Sequence, residues 1–192
     1  MESDIKKMRI IGGKFKGRNI IFLKNSRTRP LKDFVKENIF NILTHSKLLK
    51  IDIKNSSVLD LYSGIGSFGL ECVSRGSKNV TFVEENKEAI NTLKKNISNN
   101  SNATVTNVVF DNNLNFLKRT IVEKFNIFFL DPPFANNDFL IELKTIKEKK
   151  IFRQKHVVII HREAKTNDNF SDIIKPLLIK KYRRSKIIFG IF

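Results

Sequence analysis

The sequence predicts a doubly wound α/β domain: a mostly parallel sheet, an antiparallel C-terminal hairpin and a small N-terminal extension of one β-hairpin and one helix. Two observations carry this expectation. From residue 57 onward, short apolar runs alternate with stretches of helical periodicity, as parallel strands covered on both faces require. The last two apolar runs, 177–182 and 187–192, have too little chain between them for a crossover helix, so they pair antiparallel.

The elements follow in order. Residues 9–18, RIIGGKFKGR, and the apolar run 20–23 read as a glycine-punctuated hairpin. After Arg29 and Pro30, Val35, Ile39, Ile42 and Leu43 share one helical face, while Lys32 and Lys36 lie one turn apart on another. Residues 58–62 form a buried strand, followed by a glycine-rich turn and a helix from 67 to about 75, with Gly76 as its stop. Residues 80–83 are the next strand, and Ile90, Leu93 and Ile97 mark the helix after it. Residues 105–110 form a strand, then Leu114, Leu117 and Ile121 mark a third helix. The strand 127–130 ends at Asp131-Pro132-Pro133, and 157–160 is another. Residues 1–50 are read as an extension packed onto the core, and 51–192 as the core domain.

Composition narrows the partner. The 192 residues carry a net charge of +17, with 36 Lys and Arg against 19 Asp and Glu. The chain is rich in Lys, Asn, Ile and Phe, as an A+T-rich coding sequence would make it, but the charge is unevenly spread. Residues 1–50 hold a surplus of nine positive charges, 58–90 are slightly acidic, and 175–186 carry six basic residues and no acid. Basic ends around an acidic middle suggest a nucleic-acid surface framing a different kind of pocket. One cysteine, Cys72, excludes a disulfide framework. His45, His156 and His161 are scattered, so no metal is expected. His161-Arg162-Glu163 ends a strand and is read either as edging the crevice or, by preference, as surface, and Cys72 as core. No apolar run approaches the roughly 18 residues of a membrane span, and the first residues lack the apolar core of a signal peptide. A cytoplasmic monomer with no membrane partner is expected.

Two motifs carry chemistry. Gly64, Gly66 and Gly69 follow a strand and open a helix, and Glu84 ends the next strand, which makes a nucleotide-cofactor site. Asp60, four residues before Gly64, selects among cofactors. A pyrophosphate needs that mouth free of negative charge, whereas the ammonium and sulfonium of S-adenosylmethionine suit a carboxylate. Tyr62, Ser63, Gly64 and Gly66 form the rest of the loop, and Glu84 is expected to accept hydrogen bonds from the ribose hydroxyls. The second motif is Asp131-Pro132-Pro133-Phe134. An exocyclic amine on a base is a poor nucleophile; a carboxylate and a backbone carbonyl that accept its two N–H bonds favour the pyramidal, nucleophilic form. The prolines stiffen the loop, and Phe134 offers a flat face to an extruded base.

With these residues the chain resembles the bacterial 16S rRNA guanine-N2 methyltransferases known as RsmD, over nearly its full length. The matching segments are RIIGGKFKGR (9–18), Arg29-Pro30 with DFVKE (33–37), DLYSGIGSFGLE (60–71), Glu84 and DPPF (131–134). The resemblance implies a Rossmann-like class I methyltransferase fold and methyl transfer from S-adenosylmethionine to guanine N2 in 16S rRNA, within a partly assembled small ribosomal subunit. It also implies that Asp111 or Asn112 meets the adenine amine. Arg9, Lys14, Arg18, Arg29, Lys32 and Lys36 are the expected RNA contacts; Lys36 stands where the family pattern often has Arg. Two rival readings are another exocyclic-amine methyltransferase, on adenine in DNA or RNA, and a non-catalytic RNA-binding assembly factor.

Overall fold

The computed structural model describes residues 8–22, 31–49, 51–100, 103–133 and 135–192. Residue 23 and Arg29-Pro30, which the sequence reading uses, lie outside the described residues. Seven strands form one sheet: β3 (Ser57–Leu61), β4 (Asn79–Glu84), β5 (Thr106–Phe110), β6 (Phe125–Leu130), β7 (Phe152–Glu163), β8 (Lys175–Lys181) and β9 (Ser185–Ile191). Their spatial order is β5-β4-β3-β6-β7-β9-β8. The first five are parallel, and β9 pairs antiparallel with both β7 and β8. The chain steps outward one way from β3 to β5, then returns to β6 on the other side of β3. The connections leaving the carboxyl ends of β3 and β6 run to opposite faces of the sheet at this switch point, and a crevice opens between them.

Alternation along the strands builds the core. In β6, Ile127 and Phe129 join one apolar cluster while Phe128 and Leu130 join the other, as a strand buried on both faces requires. The first cluster lies under α1 (Asp33–His45), α2 (Ser67–Ser74) and α3 (Lys87–Asn100). Within it Phe40, Phe68 and Phe129 stack at centroid distances of 5.2 and 4.0 Å. The second cluster lies under α4 (Asn113–Lys118) and α5 (Phe139–Lys149).

Two elements differ from expectation. The helix marked by Leu114, Leu117 and Ile121 stops at Lys118, because Arg119 turns to an extended conformation (ψ 163°), leaving Ile121 in the following loop. Helix α5 has no counterpart in the sequence reading; Phe139, Leu143 and Ile146 bury its one apolar stripe.

The N-terminal hairpin, β1 (Met8–Arg9) with β2 (Asn19–Ile20), is two residues long on each side. Polar contacts fasten it. The fully buried Glu71 carboxylate accepts from Ile11 N at 2.8 Å and from Arg75 Nε at 2.9 Å. Ser74 O accepts from Lys14 N at 2.7 Å, and Ser74 Oγ from Phe15 N at 2.9 Å. The Asn96 amide accepts from Ile21 N and donates to Ile21 O and Ile65 O. A Cβ at Gly13, where φ is +75°, would meet Ser74 O at 2.0 Å, so only glycine allows this approach. Among the described residues, no helix is long and apolar enough to cross a membrane.

Candidate active site

The crevice lies at the carboxyl ends of β3 and β6 and has a volume of about 640 Å³. Asp60, the fourth residue of β3, is buried beneath it. Its Oδ2 accepts from Gly69 N at 3.0 Å, satisfying one of the otherwise orphaned N–H groups in the first turn of α2. Its Oδ1 is buried with no described partner. Burial pushes the Asp60 carboxyl well above the usual range, with the Asp131 and Glu84 charges adding to the effect. Ser63 Oγ, on the same crevice wall, is likewise buried and unpartnered.

Between them runs the glycine loop. Gly64 has φ +54°, and a Cβ there would meet nothing within 4 Å, so the backbone borders open crevice. A Cβ on Gly69 would stand 2.2 Å from the Phe82 ring; this glycine lets α2 lie against β4. Gly64 N donates to Glu84 Oε2 at 2.7 Å, and Asn86 N donates to Glu84 Oε1 at 2.8 Å. Glu84 is thereby held at the crevice wall, with its carboxyl raised by burial against these two hydrogen bonds. Tyr62, which lines the crevice, has φ +60°, a strained conformation for a bulky residue. Its hydroxyl donates to Glu142 Oε1 at 2.7 Å.

Asp111 and Asn112 both line the crevice and are both engaged. Asp111 pairs with the Arg119 guanidinium. Asn112 is the N-cap of α4, accepting from Leu114 N at 2.9 Å and donating to Glu85 Oε2 at 2.9 Å.

Asp131, the first residue after β6, and Pro132 and Pro133 form the facing wall. Phe134 lies outside the described residues. The loop is held by two adjacent residues of β7 that point to opposite faces. His161 Nδ1 lies 2.9 Å from Asp131 Oδ1; against an ionised carboxylate, Nδ1 carries the hydrogen. This corrects the surface reading of His161, which is 8% exposed. Arg162, 1% exposed, reaches the carbonyls of Pro133 (3.4 Å) and Asn136 (3.2 Å) and lies over the Phe139 ring. Its charge is met by Asp168 at 3.0 Å, which Lys186 also contacts at 3.2 Å. Burial alone would raise the Asp168 carboxyl, but hydrogen bonds from Thr166 and Lys186 and the Arg162 charge hold it below its ordinary value. The sequence reading noted Arg162 only within a strand-end segment that could edge the crevice, assigned it no role, and missed Glu142. The one sign of Arg162 in the sequence is a basic residue at the end of an apolar strand.

The expected RNA contacts divide. Lys14 and Arg18 are exposed, over the Phe15 ring, with the Arg18 guanidinium also donating to Asn99 O at 3.2 Å. Arg9 and Lys32 are exposed, and Arg9 lies 4.0 Å from Asp33. Arg29 lies outside the described residues. Lys36 must be struck from the set. It is fully buried, and its Nζ donates to Arg9 O at 2.8 Å and Ser67 Oγ at 3.2 Å, with Asp33 at 3.6 Å. Burial lowers its pKa, against the Glu71 and Asp33 charges that raise it. It ties α1 to the start of α2, an internal role that a surface-charge reading does not anticipate.

Seven carboxylates line the crevice: Asp60, Glu84, Glu85, Asp111, Asp131, Asp138 and Glu142. Among the described residues, no Lys, Arg or His lines it. This set of acceptors fits a cationic, hydroxyl-bearing ligand and opposes a pyrophosphate.

Comparison with known proteins agrees with the fold. The sequence profile of the family described as conserved hypothetical protein 95 matches residues 8–189. The ribosomal RNA small subunit methyltransferase D of Buchnera aphidicola (subsp. Baizongia pistaciae) is 29% identical over 191 residues, covering 100% of this chain and 94% of its own. The protein of the same name from Haemophilus influenzae is 39% identical over 132 residues, covering 68% and 65%. A solved structure from Escherichia coli, named provisionally as a methyltransferase, has a TM-score of 0.82 at 24% identity, covering 96% and 97%; at that identity the likeness is one of fold.

Proposed function

The chain belongs to the conserved hypothetical protein 95 family, that of the ribosomal RNA small subunit methyltransferase D proteins, and we propose accordingly that it transfers a methyl group from S-adenosylmethionine to the exocyclic N2 of a guanine in 16S rRNA. It is a methyltransferase; the cofactor and the base are the proposal. The observation that carries it is that, among the described residues, every charged side chain lining the crevice is acidic. An ammonium and a sulfonium are favoured beside Asp60, whose bare Oδ1 lacks a donor, and a dinucleotide pyrophosphate is not. Glu84, braced by Gly64 N and Asn86 N, keeps further lone pairs for two ribose hydroxyls. Asp111 is better suited than Asn112 to the adenine amine: its two carboxylate oxygens keep lone pairs beyond those met by Asn112 N and Arg119, whereas the single Asn112 side-chain oxygen already caps α4.

When bound, S-adenosylmethionine supplies a sulfonium methyl, whose C–S bond breaks as the N2–C bond forms. The chain's own part is to prepare the amine. His161 fixes the Asp131 carboxylate at Oδ1, leaving acceptor capacity for guanine N1–H and N2–H side by side. Arg162 holds the Pro133 carbonyl from below, so the loop keeps its shape as a base enters. The N2 proton leaves to water after transfer.

The test is incubation with labelled S-adenosylmethionine and 16S rRNA, naked or as a partly assembled particle, followed by digestion to nucleosides. Label in N2-methylguanosine is expected. Label in N6-methyladenosine would move the target to adenine, and no label from either substrate would leave a binding protein.

A further inference from the structure

We propose that the β8–β9 turn and the exposed Phe34 in the first turn of α1 form a second RNA-docking rim, which takes the unpaired strand flanking the target base; this rests on the reading of the chain as an rRNA methyltransferase. The sheet register puts that turn beside the crevice. β6 and β7 run parallel and end on the crevice side, Glu163 at the end of β7 lies opposite Ser185, and Lys181 lies opposite Lys186. The turn between β8 and β9 therefore emerges at the same edge of the sheet as Asp131. Three strand spacings separate it from β6, on the order of 14 Å, within the reach of a few nucleotides.

The composition of the turn is not explained by its backbone. Tyr182 N donates to Ser185 O at 2.7 Å and closes the hairpin around Arg183 and Arg184. Tight hairpin tips favour Asn and Gly because primed turns need positive φ. Here both positions are arginine and neither has a positive φ. Both are exposed, and neither guanidinium pairs with a described residue.

The aromatic half of the rim comes from α1. Phe34 is 66% exposed, and its ring stands 6.0 Å from that of Tyr182 at 86°. Tyr182 is half-buried against the core, so it anchors the pair while Phe34 is open to solvent. Leu31, three residues before Phe34, lines the crevice, which makes the rim continuous with the site. Exposed Lys32 and Lys181 add to the two arginines; Asp33, Glu37 and Glu163 are the acids of the same neighbourhood, with Asp33 already facing Arg9 and Lys36, which leaves positive charge in excess. An aromatic face ringed by cations fits single-stranded RNA, whose bases can stack and whose phosphates meet the charges; a duplex would use the charges alone.

The experiment uses the full chain, a naked 16S rRNA transcript, and single-stranded and duplex RNA competitors. Arg183→Ser with Arg184→Ser should weaken transcript binding about tenfold and flatten the slope of log affinity on log salt by roughly 0.7 for each phosphate left unneutralised. Phe34→Ala should weaken binding about five- to a hundredfold with the slope unchanged, the mark of missing base stacking. Arg183→Lys with Arg184→Lys should restore most of the salt slope. Melting temperature and S-adenosylmethionine affinity should stay at the parent values, since all three side chains face solvent. Single-stranded competitor should displace the transcript better than duplex. Parent-like affinity in both the serine and alanine variants, or equal competition by duplex, would overturn the rim while leaving the methyltransferase reading intact. A parent protein that neither binds nor methylates the transcript or the partly assembled particle would overturn both.

Discussion

Asp60, Glu84 and Asp131 share one crevice and carry different burdens. Asp60 is half committed to capping α2, Glu84 is braced by two backbone donors, and Asp131 is pinned by an imidazole. Asp131→Ala should therefore nearly abolish methyl transfer while leaving S-adenosylmethionine affinity within a few-fold. Glu84→Ala should do the reverse, weakening the cofactor by about 1.5–3 kcal/mol for hydrogen bonds to a charged group. Calorimetric titration of both variants, with turnover measured in parallel, separates the two roles. Glu142 gives a pH signature. Burial pushes its carboxyl up to about 7, so folding favours the protonated form. That preference is complete below the ordinary carboxylate pKa and is lost as pH rises through 7. Glu142→Gln should accordingly lose less stability than the parent between pH 5 and 8, as thermal melts at the two pH values will read; equal losses would place its titration elsewhere. The first three acids were legible because strand, turn and helix fix them by spacing along the chain. His161, Arg162 and Glu142 were not, because their roles depend on which strand lies beside β6 and on a helix whose apolar stripe is three residues in a charged stretch.

At the scale of elements, the catalytic loop rests on β7 more than on itself. The Arg162 guanidinium, Asp168 and Lys186 bridge β7, the 164–174 segment and β9, and the guanidinium continues to the carbonyls of Pro133 and Asn136. Breaking a buried pair by removing one partner costs about 3–5 kcal/mol. Arg162→Ala should lower the urea midpoint by that equivalent, and turnover should fall even where the variant is fully folded, because the loop loses its support. Unchanged turnover in the folded variant would mean that His161 and the prolines hold the loop without Arg162. The parallel sheet and its antiparallel end were readable because apolar runs of four to six residues alternate with helical spacing. The ends of α4 and the existence of α5 were not. An extended Arg119 and a short amphipathic stripe are set by tertiary packing, which local pattern registers weakly.

Over the whole molecule, the charge is sorted by depth: carboxylates line the crevice, and cations cover the outside of the N-terminal hairpin. Replacing exposed Lys14 and Arg18 with Gln should weaken RNA binding and flatten its salt dependence by roughly 0.7–0.9 for each phosphate no longer neutralised, read from titrations at several ionic strengths. An unchanged slope would assign that charge to coding bias. The uneven charge was visible in the sequence, but burial of one particular lysine was not: Lys36 looks like its neighbours until α1 is laid against α2. Strand β8 has one further consequence. Among the described residues it bonds only to β9, which leaves its outer side an unpaired row of backbone groups, and Ile179 on it is 49% exposed. Such a border invites a second chain to extend the sheet and begin aggregation. Exposed Lys175, Lys180 and Lys181 would bring like charges face to face, Pro176 offers no N–H, and the register shift between Pro176 and Leu178 breaks the flat template. The hairpin that borders the sheet thus also opposes strand addition by a neighbouring molecule.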